Sequence, residues 1–441
     1  MRAPQSVPRP GLDRRRFLGA LTGLPLAAGG LPLLTGCGPE EVAADDGPIE
    51  LSVFWWGGAR RAVATEQALR LYSQQNPRVS FRVTWQGLGG YYDRIATQAT
   101  GGNAPDLFQI DDTVLAEYAG RDILLDLTRY VADERLDLRE VPEQLARYGR
   151  VDERTVGVPA AQTSAALVFN RRLLRRLGQP EPRTGMSWKE YVTWAARVTR
   201  ASGNRVAGTM DASGDYRAFW LWLRGQGREL YQGRQLGFSS AELLAWFEFW
   251  EVARFDRATP SAALVEQADS GELARQLVVT GHTAASFAWS HQLPELQNLT
   301  DDELGAVAFP GTPAAQWPRA SMYWAGFRGT RHPEAVVDVL GFLTTNVAAG
   351  RLLGVERGLN ASRQVRSFVA AEVAGRPERR MAALGAELDD LAGPSPAPPP
   401  KGHAEVRTLL IDAAESIRAK RSGARTATSR FMAQANAALA G

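Results

Sequence analysis

Residues 49–55 alternate Ile49, Leu51, Val53 and Trp55 with Glu50, Ser52 and Phe54, a period of two that predicts a strand. Behind it, Ala64, Ala68, Leu71 and Tyr72 share one helical stripe that stops at Asn76-Pro77. Alternation resumes through Val79, Phe81, Val83 and Trp85; "YYDRIATQATGG" reads as a second helix and "PDLFQIDD" as a third strand. This βαβαβ order predicts a parallel sheet covered by helices. Ligands of such sheets bind beyond the carboxyl ends of the strands, which here carry Trp55-Trp56-Gly57, Trp85-Gln86-Gly87 and Asp111-Asp112. The first βα turn, "WWGGARR", has neither GxGxxG nor GxxxxGK[ST], which argues against a nucleotide.

Further along, "RVDERTVG" reads as a short hairpin, followed by an apolar strand running into a helix capped near Asn170. A mostly helical stretch contains Trp220 and Trp222, two apart, and then Trp246, Phe247, Phe249 and Trp250, whose spacing makes one broad apolar face directed at a core. "HTAASFAWS" is a small-residue strand ending in Trp289-Ser290. "GAVAFPG", "SMYWAGF" and a helix from Pro333 follow; a proline-rich loop precedes a last amphipathic region with Val406, Leu409, Leu410, Ala413 and Ile417 on one face.

Composition changes the picture at the amino terminus. Cys37 is the single cysteine of 441 residues, so no disulfide forms within the chain and packing must hold the fold. Upstream, Arg14-Arg15 precede Phe17-Leu18 and an apolar run broken by Pro25 and Pro32, too interrupted for a membrane span. Leu34-Thr35-Gly36-Cys37 resembles a bacterial lipobox. Residues 1–37 are thus expected to be a twin-arginine-like lipoprotein signal peptide, Cys37 the acylated anchor and 38–48 a tether. The formal charge is only +3 and the leader's arginines supply more than that, so nucleic-acid binding loses its electrostatic basis. The 4 His show no paired-ligand spacing, and no metal or cofactor is expected.

Six stretches in order resemble the extracellular solute-binding proteins, family 1, that serve sugar ABC importers: "VFWWGG", "YYDRIATQATGGNAPDLFQID", "VGVPAAQTSAALVFNRRLL", "GHTAASFAWSHQLPEL", "HPEAVVDVLGFL" with "LGVERGLNAS", and "PPPKGHAEV". The resemblance implies an α/β, two-lobe periplasmic-binding-protein-like (type II) fold with a hinge and an interlobe cleft. It implies a first lobe of residues 49–161 and 324–354 and a second of 162–323 and 355–441. It further implies a saccharide ligand, an ABC permease as partner, a monomer, and a place on the outer face of the cell membrane. Tyr91-Tyr92 stands where similar sequences often have Tyr-Trp, and Asp112 adds a second carboxylate, so the sugar's identity stays open.

Sugars present apolar CH faces and hydroxyl rims, so their sites combine flat aromatics with charge-assisted hydrogen bonders. The candidates are Trp55, Trp56, Trp220, Trp289 and Trp324 as stacking faces, with Gln86 and Ser290 as secondary contacts. Arg357 is the planar donor and Asp111 the acceptor, unless Asp111 caps the helix at "TVLAEYAG"; Asp112 is the better cap candidate. An exported carbohydrate-active hydrolase is the alternative, but carboxylates adjacent on a strand diverge. A non-sugar solute in the same fold is another, and iron held by the Tyr91-Tyr92 phenolates a third.

Overall fold

The computed structural model describes residues 47–268, 272–372 and 375–440. Cys37, the leader and most of the tether lie outside the described residues. The elements that position the site run β1 (Ile49–Trp56), α1 (Ala59–Gln75), β2 (Val79–Gln86), α2 (Tyr91–Thr100), β3 (Leu107–Ile110) and α3 (Asp112–Gly120), as the hydrophobic pattern predicts. The chain continues through β4 (Val158–Thr163), β5 (Ala165–Asn170), α4 (Trp188–Ala201), α5 (Tyr216–Arg224), α6 (Ser240–Phe255), β6 (Ala285–Trp289) and α7 (Leu293–Asn298). It ends with β7 (Leu304–Ala308), β8 (Arg319–Gly326), α8 (Pro333–Thr345), β9 (Leu359–Asn360), α9 (His403–Arg418) and α10 (Ala424–Ala440).

Two sheets organise these elements. The first has the order β9-β4-β8-β3-β1-β2, parallel where β1 meets β2 and β3, antiparallel where β8 meets β3 and β4. The second is β6-β5-β7, antiparallel throughout. Because β1 is covered on both sides, its alternation sorts residues between two cores instead of between core and water. Leu51, Val53 and Trp55 meet Ala68 and Leu69 of α1 and Leu340 of α8, while Phe54 joins Tyr91 and Ile95 of α2.

A single residue, Ser164, separates β4 in the first sheet from β5 in the second. Thr163 Oγ1 lies 3.0 Å from Ser290 Oγ, which also accepts from the Ser164 amide at 3.1 Å, so the crossing is stitched to the end of β6. The chain leaves the first sheet at Ser164 and returns to it at Arg319, and β9 at residues 359–360 again pairs with β4 in the first sheet. In the second lobe, Trp246, Phe247 and Trp250 of α6 are fully buried with Trp188 and Phe287, as their helical spacing predicts.

Candidate ligand-binding site

Charged and aromatic side chains gather around a hollow of about 280 Å³ whose wall includes Asp215, Tyr216, Arg217, Trp289, Gln292 and Arg407. Strand β6 runs Ala285, Ser286, Phe287 and Ala288, with the Phe287 ring packed into the core on Trp188 and Trp250, until it reaches Trp289, whose half-buried indole emerges at the strand end. Two guanidiniums face that ring, Arg319 at 4.6 Å and Arg217 at 4.9 Å from its centroid. Gln292 Oε1 accepts the Trp289 amide proton at 2.8 Å and fixes the turn. Asp215 caps α5, accepting from the Arg217 amide at 2.9 Å, and also binds the Arg217 guanidinium.

The first sheet contributes the ends of β1 and β3. Asp111 is the N-cap of α3, its Oδ1 accepting from the Thr113 amide at 2.9 Å, while its own amide donates to the Tyr92 hydroxyl at 3.1 Å. Asp112 turns inward and forms a buried ion pair with Arg319. Arg319 also donates to the Tyr216 hydroxyl at 3.2 Å, and Arg407 of α9 donates to Thr113 Oγ1 at 2.6 Å, so α3, the start of α5 and α9 are tied together around Arg319 and Asp112. Trp56 meets Tyr91 edge-on at 5.1 Å and Tyr92 at 5.8 Å, forming an aromatic corner beside Asp111.

Electrostatics follow burial. Loss of water pushes the Asp111 carboxyl above its ordinary value, and the neighbouring Asp112 charge adds to this against Arg407, Thr113 and Arg319. Burial likewise lifts the Tyr92 phenol well above its usual range. His291, just past β6, falls to about 3, first through burial and then through the charges of Arg61, Arg319 and Arg217. Among the described residues there is no group of three or more His, Cys, Asp or Glu that could hold a metal ion. Tyr91 donates to the Gln109 carbonyl at 2.7 Å inside the core.

The family model for bacterial extracellular solute-binding proteins matches residues 57–350. The chain belongs to that family. An uncharacterized lipoprotein in the oleD 5′ region of Streptomyces antibioticus is 28% identical to this solute-binding protein over 175 residues, which span 38% of the present chain and 37% of that relative. Among solved structures, a periplasmic solute-binding protein from Pectobacterium atrosepticum superposes with a TM-score of 0.79 at 18% identity, over 89% of this chain and 98% of that one. A Listeria monocytogenes ABC substrate-binding protein in complex with cycloalternan gives 0.76 at 19% identity, over 89% and 99%. A Yersinia enterocolitica oligogalacturonide-binding protein with saturated digalacturonic acid gives 0.74 at 18%, over 89% and 98%. The fold is the two-lobe type of these binding proteins.

Within this solute-binding protein the sequence-derived candidates separate. Trp56 packs on the Tyr92 that bonds Asp111, and Asp112 anchors the Arg319 that faces Trp289; the cap is Asp111 and not Asp112, because Asp112 turns inward to that arginine. Trp55 is instead fully buried, because the pleat sends it to the α1 face with Leu51 and Val53. Trp220 is also core: its indole donates to Glu229 at 2.6 Å and packs 5.0 Å from Trp317, while Trp222, on another helical face, stays partly open. Ser290 is consumed by the β4–β5 crossing. Gln86 sits at the exposed rim, bonded to Gly89 and Arg94. Trp324 is buried in β8 with the Arg357 guanidinium 4.7 Å above its ring, so that pair stacks on itself. Sequence reasoning missed Arg217, Arg319 and Arg407, which come from three distant segments and share no motif; position beside the site's Trp and Asp residues exists only after folding.

Proposed function

We propose that this solute-binding protein captures a saccharide between its lobes and delivers it to an ABC importer, acting as a monomer anchored through an acylated Cys37 on the outer face of the cell membrane. The observation that carries the reading is Trp289, a half-buried flat ring rimmed by Arg217, Arg319 and Gln292 at the edge of a hollow lined by residues 210–292 and 407–418, with Asp112 of α3 reaching it through Arg319. Such a ring receives the CH face of a pyranose while the rim donors take its hydroxyls. Solved structures of the same fold that hold cycloalternan and saturated digalacturonic acid support the class. We assign the lobes as 49–161 with 324–354 and 162–323 with 355–441; the change of sheet at Ser164 supports the first boundary, while residues 319–323 of β8 and all of β9 pair within the first sheet.

An exported hydrolase fits less well. Hydrolysis needs two carboxyls facing each other across the sugar; here Asp112 is committed to Arg319 and Asp111 to the α3 amides. A thermal-shift screen against mono-, di- and oligosaccharides tests the binding reading, since a ligand at 100 times its Kd adds about 2.7 kcal/mol. The reading predicts one stabilising class, recovered intact after incubation; shortened products would favour the hydrolase, and a panel without a shift would remove the saccharide.

A further inference from the structure

Arg357 lies across the carboxyl ends of β1 and β3. Its Nε donates to Gln109 Oε1 at 2.8 Å, and Gln109 in turn reaches the Trp56 carbonyl at 3.3 Å. The guanidinium is only 5% exposed, yet neither Nη1 nor Nη2 has a hydrogen-bond partner among the protein's own atoms. The adjoining carboxylate does not serve it: Glu356 turns outward to Arg60 at 3.1 Å. Nearby Arg61 has all three nitrogens on backbone oxygens, of Trp56 and Glu356. Gly358, at φ +117°, adopts a backbone that favours glycine, and His291 Cβ of the second lobe is 3.3 Å from where a side chain would start. A side chain there would also meet the Gln162 carbonyl at 2.5 Å, so the segment is packed against β4 and the turn after β6, with Arg357 enclosed beside it against Gln109 and Trp324.

A buried guanidinium with two idle donors is costly, and stacking on Trp324 offsets only part of that cost. The charge pattern around it is unbalanced. Asp112 answers Arg319 and Asp215 answers Arg217, while Asp111 is the remaining carboxylate; Arg357 and Arg61 have no carboxylate of their own within ion-pair distance, with Glu295 on α7 exposed at the edge of the Arg61 hollow. A planar fork with two free, parallel donors matches an oxyanion. We propose that Arg357, backed by Arg61, receives an oxyanion of the solute, so that the cargo is an acidic sugar, carrying a carboxylate or a phosphate, and not a neutral one. This deepens the saccharide reading and rests on it for the sugar, while the anion site stands on Arg357 alone.

The test has two arms. In the first, wild type, Arg357→Met and Arg357→Lys are melted with inorganic phosphate against chloride at equal ionic strength. Arg357→Met removes an uncompensated charge and should melt no lower than wild type without phosphate; phosphate should raise the wild-type midpoint, raise Arg357→Lys less, and leave Arg357→Met unmoved. If Arg357→Met does not fold, the lysine variant carries the comparison. In the second arm, calorimetry compares glucose and galactose with glucuronate, galacturonate, digalacturonate and the 6-phosphates. An acidic member binding at least tenfold tighter than its neutral counterpart, with that margin lost in the variant, supports the proposal and identifies the oxyanion. A neutral sugar that binds as well as its acid overturns it and leaves the saccharide reading intact. A phosphate response confined to wild type with no sugar bound keeps the anion site and removes the saccharide; equal phosphate responses in wild type and variants, with no acidic sugar bound, overturn the proposal.

Discussion

Arg319 and Asp112 form an ion pair whose side chains keep only 6% and 5% of their surface in contact with solvent. The pair links the start of β8, where the chain re-enters the first sheet, to the first turn of α3. Asp112's charge holds the guanidinium protonated despite burial, and Arg319 spends its remaining reach on Tyr216 and on the face of Trp289. One carboxylate thereby orients the aromatic wall of the site.

Removing only the carboxylate leaves a cation stranded. Asp112→Asn should lose about 3–5 kcal/mol of unfolding free energy in a denaturant titration, whereas Asp112→Leu combined with Arg319→Met should recover most of it. Equal losses in the single and double variants would show that packing, and not charge pairing, holds this corner.

Trp289 and Trp250 should fail in different ways. Trp289→Ala should cost about tenfold in ligand affinity, about 1.4 kcal/mol, with little change in melting temperature. Trp250, fully buried, should cost about 3–5 kcal/mol of folding when truncated and leave binding near normal below the transition. Calorimetric titration beside melting curves decides, and Trp289→Ala binding as wild type removes its role as a stacking face.

His291 gives stability a pH dependence of defined sign. Its folded-state value, about 3, lies below the ordinary 6.5, so the unfolded chain takes up the proton first as pH falls. The contribution is complete above 6.5 and is lost between there and about 3, at up to about 1.4 kcal/mol per unit. Between pH 7 and 5, wild type should lose up to about 2 kcal/mol more than His291→Gln. A gap between the two proteins that does not change with pH would contradict this.

For Cys37, replacement by Ser should move the protein from the membrane fraction to the soluble one, or leave it unprocessed. Correct cleavage with membrane retention would exclude the lipid anchor.

Much of the frame was legible because period and length decide it. The βαβαβ start, the buried face of Trp246 and Trp250, and the small-residue strand ending at Trp289 all follow from spacing. "IDDTVL" showed that a carboxylate would cap the helix start, but Asp112 read as the better candidate; the fold gives the cap to Asp111 and turns Asp112 inward to Arg319, a partner about 200 residues away that the local pattern does not show. Trp55 was misplaced for a physical reason: alternation gives the face, but with helices on both sides of β1 neither face is open to a ligand. Trp220 shows the limit of two-apart reasoning on a helix, because which neighbour faces the core depended on Glu229 and Trp317. The arginine ring was invisible, because Arg217, Arg319 and Arg407 are separated by long stretches of chain and chosen by the fold alone.

The position of β8 has a consequence for the newborn chain. It lies between β3 and β4 in the first sheet but is made about 200 residues after β3. At about 5–20 residues per second, ribosomes take roughly 10–40 s to supply it. Throughout that interval β3, apolar along its whole length apart from Gln109, keeps one row of amides and carbonyls without a neighbour. A nascent molecule thus carries an adhesive strand edge that a second nascent copy can pair with, and the stretch from Ile49 to Ile110 is the one a holding chaperone has to cover until residue 326 has emerged.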